Sequence, residues 1–132
     1  MTLEERKENA VYLKHNGFNC AEAILLTYKD LINLPDDTLR RLGSGFGSGM
    51  GGFKATCGAL VGANIVLGLL NSTDTKTKFI SKDMVDEFIT KSGALSCHDL
   101  KGIETKKVLC SCEDAIRNAI EILDKKLLEM NK

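Results

Sequence analysis

Apolar residues recur at helical spacing along most of the chain. In the run from Cys20 to Ile32, Ala21, Ile24, Leu25, Tyr28, Leu31 and Ile32 keep the i, i+3, i+4, i+7 rhythm of one buried face. An earlier run from Leu3 to His15 predicts a first helix, opened by a Thr2/Glu5 capping box and stopped at Gly17. PDDTLRRL reads as a short helix with Pro35 near its first turn. Cys57 to Leu70 is apolar nearly all round, which predicts a central buried helix. Within it Gly58 and Gly62, with Ala59 and Ala63, leave a flat stripe open to close backbone approach. Residues 71–78, NSTDTKTK, read as a solvated linker. A helix over about Ser81 to Thr90 turns Met84, Val85, Phe88 and Ile89 inward and ends at Gly93. Residues 97–101 make one short turn. The last helix, about Cys112 to Glu129, buries Ile116, Ala119, Ile120, Leu123 and Leu127 and turns Arg117, Glu121, Asp124, Lys125 and Lys126 to water.

The stretch from Gly43 to Gly52 holds six glycines in ten residues and cannot be regular helix, because glycine loses too much backbone entropy there. Together these elements predict an all-α fold: one compact domain over residues 1–132, a bundle of five to six helices with a glycine-rich loop before the central one. One proline and 5 % aromatic residues agree with that class.

Composition narrows the function. The 18 Lys plus Arg balance 18 Asp plus Glu, and no basic run stands out. Such a chain lacks the clustered charge that drives nucleic-acid binding. The longest apolar stretch is about 13 residues against the roughly 20 of a membrane span. MTLEERKENA has no apolar signal core, so the expected place is the cytoplasm. Five cysteines in a reducing compartment point to metal or redox chemistry rather than disulfide scaffolding.

Four of the cysteines share one local grammar. Asn19-Cys20-Ala21-Glu22, Ser96-Cys97-His98-Asp99 and Ser111-Cys112-Glu113-Asp114 each put a cysteine directly after a cap residue, with an acid two positions on. Thr56-Cys57-Gly58-Ala59 keeps the cap and lacks the acid. Each cysteine is thus expected at the first position of a helix, where free N–H groups and the dipole favour thiolate over thiol. Cys110 forms a Cys-x-Cys with Cys112. No Cys-x-x-Cys is present, which excludes a zinc ribbon or thioredoxin-like motif. The gaps of 37, 40 and 15 residues put the four on separate elements, so only the tertiary fold can assemble a site.

GSGMGG, residues 47–52, formally matches G-x-G-x-x-G, but no strand precedes it and no helix follows directly. Phe53 stands where a phosphate-loop lysine belongs. The better reading is a tight loop near the Cys57 helix start. There Gly49, Gly51, Gly52 and Gly58 can bring backbone N–H groups to cofactor sulfur atoms. His15 ends the first helix, and His98 adjoins Cys97 as a candidate base or ligand.

GFNCAEAIL, FGSGMGG, TCGALVGANIVLGL, Cys97-His98-Asp99-Leu100 and a cysteine opening the last helix together resemble the C_GCAxxG_C_C family over about residues 16–123. Its signature is met by Cys57, Gly58, Ala59 and Gly62. The resemblance implies redox activity, with site cysteines Cys20, Cys57, Cys97 and one of the final pair. Cys112 is the better match, because Ile116 and Ala119 then keep the family's apolar spacing; Cys110 is the extra residue. The family is similar to the non-haem part of split-Soret cytochromes, which is associated with an iron–sulfur cluster. No Cys-x-x-Cys-His is present, so no c-type haem is expected. The leading expectation is an iron–sulfur protein, with a two-iron cluster suited to so small a site, that passes electrons to a redox partner rather than acting as a stand-alone enzyme. A metal-free thiol–disulfide protein and a structural zinc protein are the alternatives. The small-residue stripe and an exposed cysteine leave room for a homodimer.

Overall fold

The structure, a computed structural model, describes residues 1–131. Seven α-helices follow one another: α1 (Leu3–Lys14), α2 (Cys20–Thr27), α3 (Asp36–Gly43), α4 (Gly58–Leu70), α5 (Thr77–Ser92), α6 (Cys97–Lys101) and α7 (Cys112–Met130). A single π-turn, Gly49–Phe53, precedes α4. No strand occurs among the described residues; Thr56 and Ser96 form one isolated antiparallel bridge. The all-α expectation holds. No helix is long and apolar enough to cross a membrane.

Helix α4 is the centre, packed against α2, α5 and α7, and α1 closes the bundle over α2 and α7. Its one polar side chain, Asn64, is satisfied by donating to the Leu60 carbonyl and accepting from the Ser81 hydroxyl. The predicted flat stripe is real. A Cβ on Gly62 would sit 2.9 Å from the Ala21 Cα, so α2 crosses α4 at backbone contact. The stripe is therefore filled within the chain and offers nothing to a second copy.

Three boundaries differ from expectation, each for a long-range reason. Helix α2 stops at Thr27 rather than Ile32. The Thr27 carbonyl, which a longer helix would offer to Leu31, accepts instead from buried Arg6 at 3.0 Å, and the Leu31 N–H turns to Tyr28. Helix α5 starts at Thr77, not Ser81, because the Asn71 side chain folds the linker by donating to the Thr75 carbonyl and the Thr77 hydroxyl. Helix α4 starts at Gly58, which leaves Cys57 outside it as the N-cap.

Three facing residues also differ. Leu31, past the end of α2, is half exposed rather than on the buried face. Ile89 is partly exposed rather than inward. Lys126 is buried rather than turned to water, its ammonium within 3.4 Å of Glu87 and its stem laid on the α5–α7 contact.

Candidate functional site

Five cysteines from four separate segments line one pocket at an end of the bundle. Cys20 opens α2, held by a complete Asn19/Glu22 capping box. Cys97 opens α6 and Cys112 opens α7; Ser96 and Ser111 cap them by accepting from the Asp99 and Asp114 N–H groups. The grammar read from the sequence is therefore correct at three sites. It fails at the fourth. Thr56 cannot cap α4, because the chain there is extended and bridged to Ser96, with the Cys57 N–H donating to Leu95 and the Cys97 N–H to Ala55, both at 3.0 Å. Cys57 takes the cap position itself.

The bridge has a geometric effect. Cys57 and Cys97 follow its two members, and both line the pocket.

Around the thiols the walls are close-fitting. A Cβ on Gly58 would lie 2.6 Å from the Phe46 carbonyl oxygen and 3.5 Å from the Cys20 Cβ. Gly49, at φ +60°, sits so near Cys97 that an added Cβ would come within 2.8 Å of the cysteine Cβ. Both glycines thus stand against site cysteines. Gly51 and Gly52 have no such neighbour: they are exposed, and a Cβ on either would meet open space. The pocket measures about 430 Å³ counted to its open mouth, of which about 30 Å³ is room for water. Besides the cysteines it is lined by Lys14, Asn19, Ser48, Leu100 and Lys101, among others.

Electrostatics separate the thiols. Cys20, Cys57 and Cys97 are buried, and Cys110 and Cys112 are half-buried. Helix N-termini were expected to lower the thiol pKa values, yet burial outweighs them at most positions. Desolvation lifts Cys57 to about 11, even though the Ala59 and Leu60 N–H groups pull the other way. It lifts Cys97 and Cys110 as well, with Lys101 opposing at Cys97 and the Ser92 hydroxyl opposing at Cys110. Cys20 and Cys112 act as a pair. Their interaction makes Cys20 hold its proton more tightly and lets Cys112 give its proton up below the usual thiol value, aided by Lys101 and Lys14.

Cys110, marked as the extra residue, lies at the same pocket. Asn118 reaches its sulfur at 3.9 Å and also donates to Ser92 at 3.0 Å. Only the fold brings Ser92 and Asn118 together, so nothing local in the sequence signals this anchorage. The histidines stand outside. His15 meets Glu113 at 3.0 Å, and His98 lies between Asp99 and Glu104.

No three His, Cys, Asp or Glu side chains among the described residues gather around a point that could hold one metal ion. The family model described as "Putative redox-active protein (C_GCAxxG_C_C)" matches residues 18–126. No curated protein and no solved structure matches the chain.

Proposed function

The chain belongs to the C_GCAxxG_C_C family, described as redox-active, and from that premise we propose that its cysteine pocket holds an iron–sulfur cluster used in electron transfer. The observation that carries this reading is the meeting of five thiols from separate segments at one pocket. The donor set fits. An all-thiolate donor set selects soft metals and iron–sulfur clusters. Five thiols at one pocket include the four ligands that such a cluster needs. Cys20, Cys57, Cys97 and Cys112 would be the ligands, and a bound cluster would supply one-electron chemistry. The chain's own groups then have defined tasks. Lys14 and Lys101 offset thiolate charge, the Ala59 and Leu60 N–H groups face Cys57, and the tight Gly49 and Gly58 approaches keep water from the inner wall.

A second reading rests on the Cys20–Cys112 pair. In a metal-free protein the Cys112 thiolate attacks an oxidised partner's disulfide, and one partner sulfur leaves as thiolate. Cys20 then attacks the mixed disulfide. The products are a Cys20–Cys112 disulfide and the partner's two reduced thiols, which take up both protons and both electrons.

An absorption spectrum of anaerobically purified protein, with iron, sulfide and zinc assayed on the same sample, tests the first reading. Bands between about 320 and 460 nm, matching iron and sulfide, and their loss in each of the Cys20→Ser, Cys57→Ser, Cys97→Ser and Cys112→Ser variants are expected. A colourless protein after attempted cluster reconstitution overturns it. Stoichiometric zinc then means a structural site, and a reductant-dependent thiol count means the dithiol couple.

A further inference from the structure

Two loops stand beside the pocket: Ser48 of the glycine-rich turn lines it, and the loop after α6 runs into Cys110, which lines it too. Every described non-glycine residue with positive φ lies on them: Ser48, Met50 and Phe53 in the glycine-rich turn, and Lys106 in the loop after α6. Such backbone costs about 1–3 kcal/mol per residue and collects at functional surfaces. The same loops hold apolar side chains in water. Met50 is 55 % exposed, Val108 62 % and Leu109 51 %.

Charge is also out of balance there. The chain as a whole is neutral. Elsewhere most cations meet carboxylates, as Arg6 meets Asp30, Lys7 meets Glu121 and Lys126 meets Glu87. At the pocket and on these loops, Lys14, Lys54, Lys101, Lys106 and Lys107 have no ion-pair partner among the described residues. Lys14 and Lys101 line the pocket, and Lys101 lies 4.7 Å over the Phe53 ring. The carboxylates of these loops, Asp99 and Glu104, both turn to His98. At the start of α7, Glu113 turns to His15 and Asp114 to Arg117.

We infer that this end of the bundle is a docking face for an acidic redox protein, with Met50, Val108 and Leu109 as its apolar contacts and the unpaired lysines as its charged ones. The inference rests on the redox reading of the pocket. A partner carrying carboxylates around its own redox group is steered here by the lysines, which raises the encounter rate, while the apolar contacts set the orientation. Exposed apolar side chains on the same loops as the lysines, rather than a basic stripe along one helix, favour a protein over nucleic acid or a lipid surface.

The test is calorimetric titration with a small acidic flavodoxin as probe, with basic cytochrome c and phosphatidylglycerol vesicles as controls. Flavodoxin is expected to bind at about 20 mM salt and to weaken at least about tenfold by about 200 mM. The triple variant Lys54→Glu, Lys106→Glu, Lys107→Glu is expected to lose about tenfold or more in affinity, with its thiol count and circular dichroism unchanged. Flavodoxin affinity indifferent to salt overturns the inference, as do equal affinity in a folded triple variant and tighter binding by either control. If the triple variant fails to fold, the salt series and the two controls decide alone. Heat reports binding, not electron flow. A pocket that neither loads iron nor cycles thiols would therefore sink the redox reading while this docking result stayed legible.

Discussion

Thr56 and Ser96 face each other in one antiparallel bridge, the only place among the described residues where this helical chain runs extended against itself. The bridge fixes the residues that follow, Cys57 and Cys97, at the pocket. It does so through backbone bonds alone, so side-chain changes at Thr56 leave the two thiols in register. Thr56→Val is expected to retain full cofactor content. Thr56→Pro, which forces the φ of the bridge residue, is expected to lower that content severalfold, read from iron per chain.

Gly58 is a tight point of the wall. Gly58→Ala places a methyl 2.6 Å from the Phe46 carbonyl oxygen, and that atom is backbone. The expected cost is about 1–3 kcal/mol with weakened cofactor loading. Gly52→Ala, in open space, is expected to cost far less. Paired urea titrations check both, and equal costs would contradict the packing described.

In reduced, metal-free protein, Cys112 is expected to react first with iodoacetamide, with a midpoint below the ordinary thiol value of about 8.5. The cause is its interaction with Cys20. Cys20→Ala removes that partner, and the Cys112 midpoint is expected to move up. Mass mapping of the labelled cysteine over a pH series reads the shift.

Arg6 is buried, donates bidentately to Asp30 at 2.9 and 3.0 Å, and lies 4.4 Å over the Tyr28 ring. Asp30→Asn is expected to cost about 1–3 kcal/mol in thermal unfolding, because the guanidinium keeps only part of its partner set. The Asp30 carboxyl is held below its usual pKa, chiefly by the Arg6 hydrogen bonds. Its share of stability is thus present above the ordinary carboxylate value near 3.9 and is lost as pH falls through the lowered folded value. Melting curves between about pH 7 and pH 2 should show a shallower acid slope in the variant.

Much of this was legible in the chain because it is local. The caps at Thr2, Asn19, Ser96 and Ser111, the nearly all-apolar α4 and the Gly62 stripe are each set by residues within a few positions. What escaped was decided from far away. Arg6 ends α2 twenty-one residues on by taking the Thr27 carbonyl. Leu95 and Ala55 convert Cys57 from a helix residue to a cap. Ser92 and Asn118 bring Cys110 to the pocket. The thiol pKa values were misjudged for a related reason: dipoles can be read from spacing, but depth cannot.

The pocket takes its cysteines from segments spread between α2 and α7. A chain emerging from synthesis therefore has no site until α7 docks and delivers Cys110 and Cys112. Until then the earlier cysteines are separate thiols on an unfinished bundle. Redox competence thus arrives in one step, at the close of folding, and a chain truncated before Cys110 carries three cysteines and no centre.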